Sequence, residues 1–257
     1  MKLVFNESKE AKRIASKAAA LVPDGIKQSM HGIQMYLCGG VFVSLISGEP
    51  VNDLDFFFAS QDDLTRFWER IKHHKDISKV YETDNAISFS YDGMKIQLVR
   101  KMFFINIHSC LEVFDFRAVQ CGMTADNLLN KDGFMSEENS LYDIASKTLV
   151  VMPNHRNPHN VTYRIAKYVK RGWSIKGQSF IRLVLQMLIR GRDIRTIADV
   201  KDEIMGMDTV ILADFFKNSD KYKHAGSIQL DGLVLKDFMD DVDTYFEEFF
   251  KKTGGNV

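Results

Sequence analysis

Residues Tyr36–Phe58 read YLCGGVFVSLISGEPVNDLDFFF, and the order of residue types in this stretch decides how the chain folds. A short apolar strand over Gln34–Cys38 runs into Gly39-Gly40. Val41 to Ser47 then supplies about two helical turns, Gly48-Glu49-Pro50 a turn, and a second strand begins at Asp53. Two adjacent glycines at a strand-to-helix junction let the backbone approach an anion closely, with the N–H groups of the helix start pointing at it, so a triphosphate fits there. Along the second strand successive side chains alternate faces, which puts Asp53 and Asp55 on one side and Leu54 on the other. Two carboxylates about 7 Å apart along a strand can share hard divalent cations such as Mg²⁺. Phe56, Phe57 and Phe58 bury the rest of that strand. A glycine pair alone is usually a tight turn and an Asp-x-Asp alone a strand end; their combination in this order is what carries specificity.

Outward from that stretch, Ala86–Ser90 and Lys95–Val99 also read as strands, rich in Ile, Phe and Val between helical patterns. The strongest loop signal lies further on, at Met152–Asn160 (MPNHRNPHN), which holds two of the four prolines. Beyond it the spacing is mostly helical. Val234–Lys252 places Leu235, Phe238, Met239, Val242, Phe246, Phe249 and Phe250 at i, i+3, i+4, i+7 intervals. The fold expected is therefore α+β: a mixed sheet with flanking helices over residues 1–152, then a helical domain over 153–257.

The whole chain has 257 residues, of which 45% are hydrophobic, enough for a proper core and too many for a disordered or collagen-like chain. Its three cysteines, Cys38, Cys110 and Cys121, form no CxxC pair, so neither a disulfide framework nor a thiolate zinc site is indicated and a reducing cytoplasm suits them. No window approaches the roughly 20 apolar residues of a membrane span. Oligomeric state is not readable.

The stretch resembles the catalytic head of the nucleotidyltransferase superfamily, most closely the CCA-adding enzyme and bacterial poly(A) polymerase type, where G-G-x-V-R-D-x-L-L-G leads to D-x-D. Gly39, Gly40, Ile46, Gly48, Asp53 and Asp55 match; Val43 and Ser44 stand where Arg and Asp are common. Phe114-Asp115-Phe116 is similar to the R-R-D-F segment, with Val113 and Phe114 replacing both arginines. Tyr142-Asp143-Ile144 with Lys147 and Leu149 resembles the D-L-x-x-K-x-L element, and Pro158–Trp173 the P-x-R-x-x-R-x-x-R-F entry to a helical neck. The shortened motif set is similar to compact members found in phage genomes.

The resemblance implies transfer of a nucleoside monophosphate from an NTP to an acceptor hydroxyl with loss of pyrophosphate, by two Mg²⁺ ions held on Asp53 and Asp55. It implies nucleotide contacts from Gly39, Gly40, Ser44, Arg164 and Lys167, and a catalytic role for Asp115. The acceptor it points to first is an RNA 3′ end such as that of tRNA; a protein or small-molecule hydroxyl, or a non-catalytic nucleotide- or RNA-binding descendant, are the alternatives. Where many superfamily members carry a third carboxylate this chain has Gln97, a poorer Mg²⁺ ligand. Either Asp115 supplies the missing carboxylate or a ribose contact, or the site works with two carboxylates, or activity has decayed. Read for itself, Asp115 equally suits the cap of a helix starting near Arg117, and Arg164 and Lys167 suit a solvated face. His155 and His159 share i, i+4 spacing without a partnering Glu, and His73-His74 closes a helix.

The 34 basic and 34 acidic residues cancel. The cancellation conceals a division. Between His155 and Arg195 ten basic residues stand against the single acid Asp193, whereas thirteen acids face five lysines from Asp199 to Glu248. A polyanionic substrate is compatible with the first block.

Overall fold

The computed structural model describes residues 2–152, 158–177, 179, 180 and 183. Contacts divide the chain into two compact units, Met1–Ser146 and Lys147–Val257. The first runs β1 (Leu3–Asn6), α1 (Lys9–Leu21), α2 (Asp24–Ser29), β2 (Met35–Cys38), α3 (Gly40–Ser47), β3 (Asp53–Phe58), α4 (Gln61–Ile71), β4 (Ile77–Glu82), β5 (Ala86–Tyr91), β6 (Met94–Phe103), α5 (Ile107–Leu111), a 3₁₀ turn over Arg117–Val119, β7 (Cys121–Thr124), α6 (Ala125–Asn130), β8 (Phe134–Glu137) and α7 (Ser140–Ala145). Its eight strands form one sheet in the order β1-β8-β7-β2-β3-β6-β5-β4, antiparallel throughout except where β3 and β6 run parallel. This is the α+β architecture with flanking helices, and the four expected strands appear as β2, β3, β5 and β6.

Side-chain alternation decides which face is packed. Leu54, Phe56 and Phe58 of β3, Ile96 and Leu98 of β6, and Ile87 and Phe89 of β5 are all buried. Leu64, Phe67 and Ile71 of α4 are buried too, with ring contacts at Phe58–Phe67 (5.7 Å) and Trp68–Phe89 (5.5 Å). Each large apolar side chain buried here contributes about 1.5–3 kcal/mol. Helix α4 starts where Ser60 Oγ accepts the Asp63 N–H at 3.0 Å, satisfying one of the open donors of its first turn. The opposite face of these strands carries Asp53, Asp55, Gln97, Ser88 and Ser90, all only partly buried, and exposed Lys95.

Across β2 the packing is tight enough to demand glycine. Cys38 faces Gly122 on β7, where a Cβ would lie 2.5 Å from the Cys38 sulfur. The Cys38 and Cys110 sulfurs are 3.8 Å apart, and all three cysteines are free and buried. Burial pushes the Cys38 thiol well above its ordinary value, and pushes Cys121 up to about 12, so these thiols stay neutral and serve as packing groups.

The second unit contains β9 (Thr148–Leu149), α8 (Pro158–Val169) and β10 (Ser174–Ile175), with β9 and β10 paired in parallel. Val161, Ile165 and Tyr168 form the buried stripe of α8 at i, i+4, i+7. A turn through Gly172, at φ +79°, brings the buried Trp173 edge-on to Tyr168 at 5.0 Å. The expected helix at Val234–Lys252, the acidic block, five of the ten residues of the basic block (Arg156, Arg182, Arg190, Arg192 and Arg195) and His155 lie outside the described residues, as does the side chain of His159. No helix among the described residues is long and apolar enough to cross a membrane.

Candidate functional site

Strand directions bring the singled-out residues of the first unit to one end of the sheet. Strand β2 runs toward Gly39. Strand β3 is antiparallel to it and so begins there with Asp53; β6 is parallel to β3 and begins there with Met94 and Lys95; β7 is antiparallel to β2 and begins there with Cys121. The Gly39 N–H donates to the Cys121 carbonyl at 2.9 Å, which ties the glycine turn to β7. The pairing of β2 with β3 stops at Leu37 and Phe56, one step before Cys38 and Asp55. There the Asp55 charge is close enough to help raise the Cys38 thiol. The structure therefore brings Gly39, Gly40, Asp53 and Asp55 together.

Gly39 is required by its conformation. It sits at φ +88° and ψ −133°, a region open essentially to glycine alone, and a Cβ there would lie 2.8 Å from the Phe114 ring. Gly40, the first residue of α3, has open space where its Cβ would be. No side chain caps α3, which leaves the positive end of its helix dipole at the glycine turn. Two substitutions separate packing from access. Gly39→Ala should lower stability by about 1–3 kcal/mol in urea unfolding. Gly40→Ala should change stability by less than about 1 kcal/mol, since Ala suits a helix start, so weaker nucleotide binding by this variant would report steric obstruction of the turn.

Asp53 and Asp55 project on the half-open face of β3, and Asp55 Oδ1 is shielded from solvent. Their neighbours on β6 are in register: Lys95 opposite Asp53 and Gln97 opposite Asp55. Lys95 Nζ lies 3.8 Å from Asp53 Oδ2, and Gln97 Nε2 donates to Ser88 Oγ on β5 at 3.1 Å. Among the described residues no group of three or more His, Cys, Asp and Glu side chains gathers that could hold a metal. Asp115 therefore does not complete a three-carboxylate site. The pair still fits a hard divalent cation, because two carboxylates on one strand face are the protein share of a Mg²⁺ site whose remaining ligands are water and substrate phosphate.

Asp115 is 8% exposed and follows directly on Phe114, whose ring overlies Gly39. It does not cap the 3₁₀ turn, since Phe116 holds the cap position and no side-chain cap bond is made. Ser44 lies a full turn inside α3 and is 7% exposed, so its hydroxyl is packed rather than presented at the glycine turn. Arg164 and Lys167 belong to the second unit, both exposed on α8.

Three features were not read from the motifs. Lys95 stands in register with Asp53 on the adjoining parallel strand, two residues before the Gln97 already singled out, a signal visible in the shared period of two. Phe114 packs on Gly39 and meets Phe57 edge-on at 5.6 Å. Arg117 does not face the site: its Nε and Nη2 donate to Asp143 Oδ2 and Oδ1 at 2.6 and 2.8 Å, with Glu137 Oε2 3.8 Å away. Asp143 is fully buried, and its hydrogen bonds hold Arg117 above its ordinary pKa. The Ser140 hydroxyl adds a bond to the Arg117 carbonyl at 2.7 Å, so α7 anchors the segment carrying Phe114 and Asp115.

A family model described as Gabija anti-defense 2 family protein matches residues 9–147, nearly the extent of the first unit. A protein of Bacillus phage SPbetaL7, "Gabija anti-defense 2", is 24% identical over 192 residues, covering 75% of this chain and 46% of its own length. This chain thus spans less than half of that relative. Among solved structures, a CCA-adding enzyme in complex with CTP superposes with a TM-score of 0.56 at 12% identity, over all of this chain and 72% of that one. The Thermotoga maritima CCA-adding enzyme complexed with tRNA gives 0.52 at 13% identity, over all of this chain and 64% of that one. The likeness is one of fold: a nucleotidyltransferase-like head.

Proposed function

We propose that this chain, which belongs to the Gabija anti-defense 2 family, is a metal-dependent nucleotidyltransferase that moves a nucleoside monophosphate from an NTP to an acceptor hydroxyl. The observation that carries the reading is the convergence of the Gly39-Gly40 turn with Asp53 and Asp55 at one end of the sheet. In this reading residues 1–152 form the catalytic head and the part from residue 153 adds nucleotide contacts, among them Arg164 and Lys167.

Asp53 and Asp55 would hold Mg²⁺, which supplies charge neutralisation at the phosphates and lowers the pKa of an attacking hydroxyl. With the Gly39 N–H held by the Cys121 carbonyl, the phosphates would meet the N–H groups that open α3, where Gly40 leaves room for close approach. Phe114 presents an apolar ring beside that turn, in the place where the resemblance expects arginine. The reaction then leans on positioning and metal charge rather than on guanidinium clamps. Asp115, next to that ring in sequence, would meet a ribose hydroxyl rather than the metal.

The family name gives the lead on the acceptor. A chain grouped with proteins named for countering the Gabija defence has its natural acceptor among the components of that defence, met in the host cytoplasm. An RNA 3′ end is the second reading, favoured by the tRNA bound to the Thermotoga maritima fold relative. The test supplies the full chain with Mg²⁺ and each α-³²P-labelled NTP, and offers purified Gabija components, total tRNA and small alcohols as separate acceptors. Label on a Gabija component supports the reading. Label on tRNA alone replaces it with the second, and no transfer to any acceptor contradicts both.

A further inference from the structure

The register of the sheet continues each aspartate into a row of side chains on the same face. From Asp55 the row passes through Gln97 on β6 and Ser88 on β5 to Tyr81 on β4; from Asp53 it passes through Lys95 and Ser90 to Ser78. Paired residues of neighbouring strands point to the same side. Strand β5 turns Ile87, Phe89 and Tyr91 into the packed side and leaves only small groups, Ala86, Ser88 and Ser90, on the half-open one. The carboxylates therefore share their face with hydroxyls. Ser88 is held in place, because Gln97 Nε2 donates to its Oγ at 3.1 Å. That bond uses one lone pair of the hydroxyl oxygen, which has a second.

In-line displacement selects among these hydroxyls. Attacking and leaving oxygens stand on opposite sides of the phosphorus. With the phosphates entering at the glycine turn that ends β2, and the aspartates on β3, pyrophosphate leaves on the β2 side and attack comes from the side of β6 and β5. Ser88 is the first hydroxyl met in the Asp55 row, two strand spacings or about 10 Å across the sheet. A cation about 2.1 Å from its ligand oxygens, and a phosphorus about 3–3.5 Å from the oxygen that attacks it, fill a gap of that order. Ser90 is separated from Asp53 by Lys95, whose Nζ lies 3.8 Å from Asp53 Oδ2, and Tyr81 and Ser78 stand one strand further out. Neutral Gln97 gives little help in activating a hydroxyl that arrives from solution. A tethered hydroxyl needs less help, since positioning alone is worth effective molarities of about 10⁵–10⁸ M.

Resting on the nucleotidyltransferase reading of this site, we propose that Ser88 is an acceptor within the chain itself, a self-nucleotidylation site. Ser88 Oγ bonds to the α-phosphorus of the NTP as the bond from that phosphorus to the bridging oxygen of the β-phosphate breaks. Pyrophosphate leaves with the bridging oxygen, and the hydroxyl proton passes to water over the half-open face. The product is a serine phosphodiester that fills the space between β3 and β5, so the reaction stops at one nucleotide per chain.

The test incubates the full chain with Mg²⁺ and each NTP in turn, with no acceptor added, and follows its intact mass by mass spectrometry. Wild type should gain one nucleotidyl group, and fragmentation of the modified peptide should place it on Ser88. Ser88→Ala should form the adduct about 10²-fold more slowly, because no other hydroxyl stands in its position. Ser88→Thr keeps a hydroxyl there and should keep the adduct. Ser88 is only partly buried, and far-ultraviolet circular dichroism checks that both variants fold. Asp53→Asn mixed with active chain should stay unmodified, since transfer occurs within one chain. An adduct on another residue, an undiminished adduct in folded Ser88→Ala, or modification of the Asp53→Asn chain overturns the proposal. Transfer to an added tRNA or protein acceptor while the chain stays unmodified also overturns it, and leaves the nucleotidyltransferase reading standing. No transfer to the chain or to any acceptor overturns both.

Discussion

Asp53→Asn and Asp55→Asn are each expected to reduce nucleotidyl transfer at least about 10³-fold, which corresponds to on the order of 4 kcal/mol of lost transition-state stabilisation. The size follows from the chemistry of phosphoryl transfer, in which catalysis is mostly positioning and charge neutralisation, so a protein that loses one of two metal-holding carboxylates loses most of what it contributes. Asparagine preserves shape. Asp55 Oδ1 is shielded from solvent, so the isosteric amide keeps the packing beside Cys38 while removing the charge. The two variants should retain the unfolding midpoint of the wild type to within about 1 kcal/mol, the ordinary range for a partly exposed polar exchange. Steady-state rates of label transfer, read beside urea unfolding, check both statements. Transfer that survives either substitution at near wild-type rate removes that carboxylate from the chemistry.

Asp143→Ala carries the largest expected effect on stability. The Asp143 carboxylate is fully buried and accepts two charge-assisted bonds from the Arg117 guanidinium, at 2.6 and 2.8 Å. Removing Asp143 leaves the largely buried Arg117 guanidinium with only Glu137 Oε2, 3.8 Å away, a loss toward the lower end of about 3–5 kcal/mol. For a domain of this size that lowers the melting temperature by roughly 10 °C. The double variant Arg117→Met with Asp143→Leu removes both charges, and it should recover a large part of the loss, because a buried ion pair replaced by apolar groups is often neutral. Differential scanning calorimetry on the two variants distinguishes the cases. A single variant as stable as wild type would mean the pair is a surface-like contact. The pair also matters to the site, since it anchors the segment bearing Phe114 against the Gly39 turn; Asp143→Ala should therefore weaken nucleotide binding even below its melting range.

How much of this was visible beforehand depended on whether the signal was local. The glycine pair, the short helix and the acidic strand lie within 23 consecutive residues, and the alternation Asp53-Leu54-Asp55-Phe56 says by itself which side chains share a face. Strands β5 and β6 were equally legible, because Ile87 and Phe89, Ile96 and Leu98 recur at the strand period. Strand β4 was not: ISKVYE is exposed along nearly its whole length at the sheet edge, so it has no apolar face to betray it. Strand β7, CGMT, hides a buried position in a glycine that exists to admit the Cys38 sulfur.

The site shows the same division. Asp53, Asp55 and Gln97 were legible, whereas Lys95 lies some forty residues from Asp53 and becomes its neighbour only through the parallel pairing of β3 with β6. Asp143 resembled part of a family element by its flanking residues, yet its physical task is to hold Arg117, 26 positions earlier. For Asp115 a cap and a third metal ligand were both compatible with FDFR; Phe116 holds the cap position, and no group of three carboxylates gathers among the described residues.

The central claim is that Asp53 and Asp55 hold a divalent cation which the phosphates of a nucleotide bound at the Gly39-Gly40 turn complete. Crystals of the full chain grown with Mn²⁺ and a non-transferable nucleoside triphosphate test it directly by anomalous scattering. The account predicts a manganese peak about 2.2 Å from a carboxylate oxygen of each aspartate, with phosphate oxygens in the same shell. A bound nucleotide with no manganese at the pair, or manganese held elsewhere while Asp53 stays on Lys95, would contradict it.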